Sequence, residues 1–337
     1  MEAEILAKVI RGETVESIHR GHLIVVEGDG NPVAQFGNPE TVTFFRSAAK
    51  PFQVLPFLLS GGAEAFDFSE REIALACGSH SSEAFHVELA AKMLEKCGLS
   101  ETDLQCGSHL PFNEKAAEKM VERKEKPTQL YNNCSGKHAA MLAFAKHIGA
   151  DLSSYLSPEN PIQQEILKIV SLFTGVSPNK IKLAVDGCSA PNFALPITAM
   201  AKSFARLIFP PASFDEKLKK ACRRVVSTMM SFPELIGGTD RLDTMIMEAA
   251  SGKLISKIGA EGIYLAGVLP NEKWKSGLGI AFKIEDGDDK RARPAVAVEL
   301  LRQLGVLNAR SLRKLSPFPV KSRRGEKVGK VIGNFRI

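Results

Sequence analysis

Mostly apolar runs at residues 23–26 and 33–36 flank the turn residues Gly28-Asp29-Gly30-Asn31-Pro32, a pattern that predicts a β-hairpin. A further β-prone segment, 41–45, leads into Ser47. Beyond it Phe52, Val54, Leu55, Leu58 and Leu59 recur at helical spacing up to Gly61-Gly62, with Pro51 in the first turn, where a missing N–H is tolerated. The centre of the chain is helical. Ser69-x-x-Glu72 is a capping box for a helix running to Cys77, and Cys77-Gly78-Ser79-His80-Ser81-Ser82 breaks that helix before 83–96 resumes as another, stopped by Gly98. Helices also read at 113–124, at 135–147, from Asn160-Pro161 to about 173, at 197–208, at 214–230 behind Ser213-x-x-Glu216, and at 240–250. A short strand-like run at 181–185 ends in Asp186-Gly187-Cys188. After residue 252 the period changes: 254–258, 263–268 and 279–284 read as strands, followed by a helix at 295–304 and a β-prone stretch at 327–335.

Strands at both ends around a long helical insert predict an α+β fold, an antiparallel sheet built from N- and C-terminal strands and flanked by helices. The expected division is a sheet part, 1–45 with 252–337, and a mainly helical part, 46–251, unless the whole packs as one compact unit. No internal repeat or low-complexity linker interrupts it. Composition adds little: 337 residues, 44% apolar and 24% charged, is globular. Charge is more telling, because the net +6 resides in the tail. Residues 310–337 carry nine Lys/Arg against one Glu, leaving about −2 on everything before them. That tail has neither interleaved aromatics nor a recognised module, so a nucleic-acid partner is not expected. The first sixteen residues lack the apolar core of a signal peptide and no run of ~18 apolar residues marks a membrane span, so a cytoplasmic location is expected. In a reducing compartment the six cysteines read as packed thiols, metal ligands or reactive groups rather than disulfides.

The candidate chemistry begins at Arg46-Ser47-Ala48-Ala49-Lys50-Pro51. A serine three residues before a lysine at a helix start places hydroxyl and amine one turn apart on one face, where a neutral amine could take the serine's proton. Alone, S-x-x-K arises often by chance. In penicilloyl-type serine enzymes it is completed by a loop serine and by K-x-G on a strand beside the site, and this chain has Ser79 in a tight interhelical loop and Lys257-Ile258-Gly259 on a strand, in that order. A lysine crowded by a second ammonium has its neutral form favoured, as a general base needs. Separately, Asn132-Asn133-Cys134-Ser135-Gly136-Lys137-His138 packs amides, a thiol, a hydroxyl, an amine and an imidazole into seven residues at a helix start. Cys134 and Cys188 are either buried thiols or partners at a zinc ion, and the backbone around Gly136 could equally offer amide donors to an oxyanion.

These segments, with Val15-Glu16-Ser17-Ile18-His19-Arg20-Gly21-His22, Lys257-Ile258-Gly259-Ala260 and Lys283-Ile284-Glu285-Asp286-Gly287, run in order over residues 15–305 and together resemble the rhizobial-type (class 3, zinc-binding) L-asparaginase family. The resemblance implies hydrolysis of L-asparagine to aspartate and ammonia by a homodimer whose protomer is similar to serine β-lactamases and glutaminases. It implies two serine–lysine pairs, Ser47 with Lys50 and Ser79 with Lys257, and a Zn2+ held by Cys134, Lys137 and Cys188, the ion bracing rather than generating the nucleophile. Asp186 is expected to accept a hydrogen bond from a ligand of that site. Arg46 by its position, with His80 and Asp186, completes the expected substrate contacts. One departure stands out: Asp240 occupies a place where glycine is expected in Gly237-Gly238-Thr239-Asp240-Arg241. The rival readings are a penicillin-binding or β-lactamase-like serine hydrolase, and a zinc-braced binding protein with a basic tail, which leaves the four serine and lysine positions unexplained.

Overall fold

The computed structural model describes residues 2–337. The chain divides into two compact units, one made of Met1–Ala48, Leu195–Phe209 and Met245–Ile337, the other of Ala49–Ala194 and Pro210–Thr244. In chain order the strands are β1 (Glu4–Arg11), β2 (Thr14–Glu27), β3 (Pro32–Phe36), β4 (Val42–Phe44), β5 (Lys182–Val185), β6 (Pro191–Pro196), β7 (Leu254–Gly259), β8 (Ile263–Val268), β9 (Leu278–Ile284), β10 (Phe318–Lys321) and β11 (Lys327–Gly333).

Among its described residues the first unit holds an eight-stranded sheet in the order β10-β11-β1-β2-β9-β8-β7, with β3 paired to β2. Its pairings are antiparallel, so N-terminal and C-terminal strands do share one sheet in an α+β fold. The expected hairpin is present, with Leu23 opposite Phe36. It is the end of a longer strand, and residues 22–26 of β2 are buried at consecutive positions, as in a sheet interior. β1 was not expected from the sequence because Glu4, Lys8 and Arg11 interrupt its apolar residues; those charged positions are the less buried ones, while Leu6, Ala7 and Val9 are covered. Helix Ile197–Ile208 packs on β2, β8 and β9, and helix Ala292–Gln303 on β1 and β11. The basic tail is therefore part of the sheet: β10 and β11 form a hairpin, and β11 pairs with β1 from Ala7↔Gly333 to Arg11↔Gly329.

The second unit is helical. At its centre lies Ser135–His147, buried at every position from Ser135 to Ala145 and flanked by helices Leu55–Ser60, Glu70–Cys77, Ala84–Lys96 and Pro161–Thr174. An all-round buried helix needs small residues where neighbours cross. A Cβ at Gly136 would fall 2.6 Å from Leu75 Cγ and 2.8 Å from its carbonyl oxygen, so glycine is what lets this helix start against Glu70–Cys77. The Ser69/Glu72 capping box forms as expected. The one expected at Ser213 does not: Asp215 caps helix Glu216–Ser231 instead, its carboxylate accepting from the Leu218 N–H at 2.7 Å. β5 and β6 form a hairpin with Val185 opposite Pro191, so that 186–190 becomes a tight connection carrying Cys188. The sequence does not predict β6, because Pro191 and Asn192 read as turn residues. Among the described residues, no helix is long and apolar enough to cross a membrane.

Candidate active site

In the second unit the loop after helix Glu70–Cys77 is held by both its backbone and its side chains. The Ser79 N–H donates to Ile236 O at 2.8 Å and the His80 N–H to Asn133 O at 3.1 Å. Ser82 Oγ donates to Tyr131 O at 2.5 Å. Glu83 then clasps the loop to the 237–240 turn, accepting from Ser81 Oγ (2.8 Å), the Thr239 N–H (2.8 Å) and Thr239 Oγ1 (2.7 Å). Partial burial opposes ionisation of Glu83, but those donors outweigh it and hold the carboxyl below its ordinary range. Asp240 sits in the same turn with φ 60°, the left-handed conformation that favours glycine and that Asp tolerates better than most side chains, so the departure from glycine is accommodated.

Into this fixed loop reaches Lys50, 1% exposed, on the short helix Lys50–Gln53 with Pro51 in its first turn. Its Nζ donates to Gly78 O at 2.5 Å and lies 2.8 Å from Ser79 Oγ. The structure thus joins Lys50 to Ser79, a link that sequence spacing alone did not suggest. Ser47 and Lys257 belong to the first unit. Ser47 is half-buried in the single turn Arg46–Ala49, which opens with Arg46 at φ 52°. Lys257 is fully buried on β7, its Nζ donating to Ile258 O at 3.0 Å. The glycine of K-x-G has a steric role there: a Cβ at Gly259 would come within 3.0 Å of Phe45 O and 3.2 Å of Arg46 Cβ, so its absence lets β7 lie against the segment that carries Ser47.

His80, expected to contact substrate, has both ring nitrogens engaged within the protein. Nδ1 accepts from the Ser82 N–H at 3.2 Å, so the proton sits on Nε2 and is donated to Ser135 Oγ at 2.9 Å. Burial pushes its pKa well down, assisted by His86, on which it stacks at 5.0 Å, and by Lys50. His86 is lowered to about 4, chiefly by burial and against its bond to Glu234 O.

The expected metal donors also converge in the second unit, all buried. Cys134 forms the N-cap of helix Ser135–His147, Lys137 follows on its first turn, and Cys188 comes from the β5–β6 connection. Lys137 Nζ donates to Cys188 Sγ at 3.1 Å. The neighbouring Cys134 thiol holds Cys188 far below the ordinary thiol range against the effect of burial, with Lys137 and His138 adding to it. The Cys188 sulfur, together with burial, raises Cys134. Burial opposes the charge on Lys137, yet the two sulfurs beside it outweigh that and hold it above the usual range. Asp186 is half-buried, spends one carboxylate oxygen on the Gly187 N–H at 2.8 Å, and adds to the field at Lys137. Among the described residues no group of three or more His, Cys, Asp or Glu could hold a metal ion. The set here is two sulfurs and an amine, soft and nitrogen donors of which Lys137 Nζ and Cys188 Sγ lie 3.1 Å apart, a donor chemistry that suits zinc provided the ion displaces the protons of Cys134 and Lys137.

Taken with the sheet and the buried lysine–serine contact, comparison with known families makes this protein an amidohydrolase. The chain belongs to the L-asparaginase II family, whose model matches residues 7–332. Comparison with curated protein sequences gives no match. Among solved structures the chain is similar to Mglu, at 16% identity and a TM-score of 0.46 over 86% of this chain and 67% of that one. It is also similar to Mglu in its glutamate form, at 16% identity and 0.47 over 86% and 61%. A third is the probable glutaminase from Bacillus subtilis complexed with 6-diazo-5-oxo-L-norleucine, at 12% identity and 0.40 over 85% of each chain. The chain spans from about three fifths to two thirds of the length of the Mglu chains.

Proposed function

We propose that this protein is an L-asparagine amidohydrolase of the zinc-binding, rhizobial type, acting through a serine acyl-enzyme. The observation that carries the reading is the buried contact between Lys50 Nζ and Ser79 Oγ, 2.8 Å, with Gly78 O fixing the amine from the other side. In its amine form Lys50 keeps one N–H on Gly78 O and can turn its lone pair to a serine hydroxyl. Ser47 attacks the side-chain amide carbon, its proton passing to Lys50. Ser79, bonded to Lys50, hands that proton to the departing nitrogen, so the C–N bond breaks with release of ammonia and an aspartyl ester remains on Ser47. Water then cleaves the ester by the reverse relay, giving aspartate and free enzyme. Lys257 supports the same proton traffic, and Arg46, His80 and Asp186 remain the candidates for holding substrate, His80 by positioning the loop.

Cys134, Lys137 and Cys188 are proposed to hold Zn2+. When bound, the ion would supply a Lewis acid and a brace between the helix start and the β5–β6 connection. A homodimer is the assembly proposed with this reading. The decisive experiment is to quench wild-type protein during turnover of an activated aspartyl ester and map the adduct by mass spectrometry. The expected site is Ser47; an adduct on Ser79 overturns the assignment of the nucleophile, and no adduct on either serine overturns the acyl-enzyme.

A further inference from the structure

Strand β5 leaves a sheet edge open. It is an outer strand of its sheet, paired on one side to β6, and each of its four residues is exposed, Val185 at 79% and Leu183 at 40%. The phase of the hairpin ladder decides which backbone groups face that edge. The Asp186 N–H donates to Ala190 O at 2.9 Å, so 186 and 190 are a hydrogen-bonded pair, and in an antiparallel ladder such pairs alternate with open ones. Ala184 with Asn192 and Lys182 with Ala194 are therefore bonded pairs, whereas Leu183 opposite Phe193 and Val185 opposite Pro191 are open ones. Pro191, which has no N–H, fits an open position. The N–H and C=O of Leu183 and of Val185 consequently point out of the edge, and among the described residues no strand pairs with them there.

An open edge is a template for another strand, and natural edges are blunted by proline, a bulge or charge. β5 has no proline and pairs with β6 without a register shift; its single charged residue is Lys182. A second copy of β5, antiparallel about a two-fold axis through Ala184, places that charge favourably. Leu183 then lies opposite Val185 of the second copy and Val185 opposite its Leu183, so the outward N–H and C=O groups of both copies all find partners. The same register sets Lys182 opposite Asp186 of the second copy, a cation against an anion at each end of the pairing. Slippage by two residues is opposed from either side. Sliding one way needs the Ile181 N–H, which donates to Pro178 O at 3.2 Å, and sliding the other needs the Gly187 N–H, which donates to Asp186 Oδ1 at 2.8 Å.

We propose that β5 pairs with β5 of a second copy of this chain, Ala184 on the two-fold axis, and that this pairing sets the register of the homodimer. Two-fold pairing occupies the edge in both copies, so it closes on a dimer and does not propagate as a fibre. Four residues a side are fewer than the roughly 20–30 of a standard interface, so the pairing fixes the register of the contact without supplying all of its strength. The proposal rests on the homodimer reading above, and full-length protein tests both. Sedimentation equilibrium gives the mass, and cysteine cross-linking gives the register. In this arrangement the two Ala184 residues form an open pair, with Cα atoms about 4.5 Å apart, within the span of a disulfide. The six native cysteines are buried. Ala184→Cys should therefore give a covalent dimer on mild oxidation, while Lys182→Cys, whose two copies lie roughly 13 Å apart along the strands, should not. Val185→Pro removes an outward N–H and no bond within the hairpin, so circular dichroism should be unchanged while the dimer dissociation constant rises about tenfold or more. A dimeric wild type in which Ala184→Cys stays unlinked, or in which Val185→Pro dimerises as tightly, overturns the β5 pairing and leaves the homodimer reading standing. A monomeric wild type overturns both.

Discussion

Lys50 is buried with both of its fixed neighbours on one loop, and this geometry is demanding. Lys50→Met keeps the length of the side chain but removes the nitrogen, and is expected to lower kcat about 10²- to 10⁴-fold. Because an apolar side chain of similar volume replaces a buried polar one, the unfolding midpoint in urea should hold or rise. Lys50→Arg should not recover activity, since a planar guanidinium fits neither Gly78 O nor the hydroxyl beside it. A second expectation at this scale concerns acid. His86 in the folded chain takes up a proton only near pH 4, whereas an unfolded imidazole does so near 6.5, so on acidification the unfolded chain binds the proton first. The contribution of His86 to stability is therefore complete above pH 6.5 and is lost between there and pH 4, by about 3 kcal/mol for a shift of this size. His86→Gln should flatten that part of the stability–pH curve measured by urea unfolding; an unaltered slope would show that His86 is not the group responsible.

Elements were legible where chain chemistry alone determines them, and obscure where neighbours do. The capping box at Ser69, the Asn160-Pro161 helix start and the turn glycines after residues 60, 97 and 174 act locally, and all appear where the sequence places them. β1 is not legible in the sequence because its burial comes from pairing with β2 and β11, not from its own alternation, and β6 is not because its turn-type residues are paired by β5. The site followed the same division. Its residue types were evident from motif order, but the Lys50–Ser79 contact depends on Ser79 hanging from Ile236 O and on Glu83 reaching Thr239, partners more than 150 residues away. The 237–240 turn tests this. Asp240→Gly should preserve stability and activity within about twofold, because the left-handed conformation is already present. Asp240→Val, β-branched at φ 60°, should cost about 1–2 kcal/mol. Circular dichroism melts and steady-state assays of both variants check it.

For the whole molecule, the basic tail is better understood as sheet than as a ligand-binding appendage. β11 covers the edge of β1, and β10 forms the outer strand. Deleting residues 318–337 is expected to uncover that edge and produce aggregation visible by light scattering, rather than a soluble protein that has only lost affinity for polyanions. The L-asparaginase II match over residues 7–332 likewise runs through segments of both units. The central claim is that this fold hydrolyses the side-chain amide of asparagine through its serine and lysine groups. The direct measurement is ammonia release from L-asparagine by wild type and by Ser47→Ala at saturating substrate. Sustained release by wild type that falls at least about 10³-fold in the folded variant is the expected result. Equal release by the two proteins, or none by wild type replete with Zn2+, would contradict it.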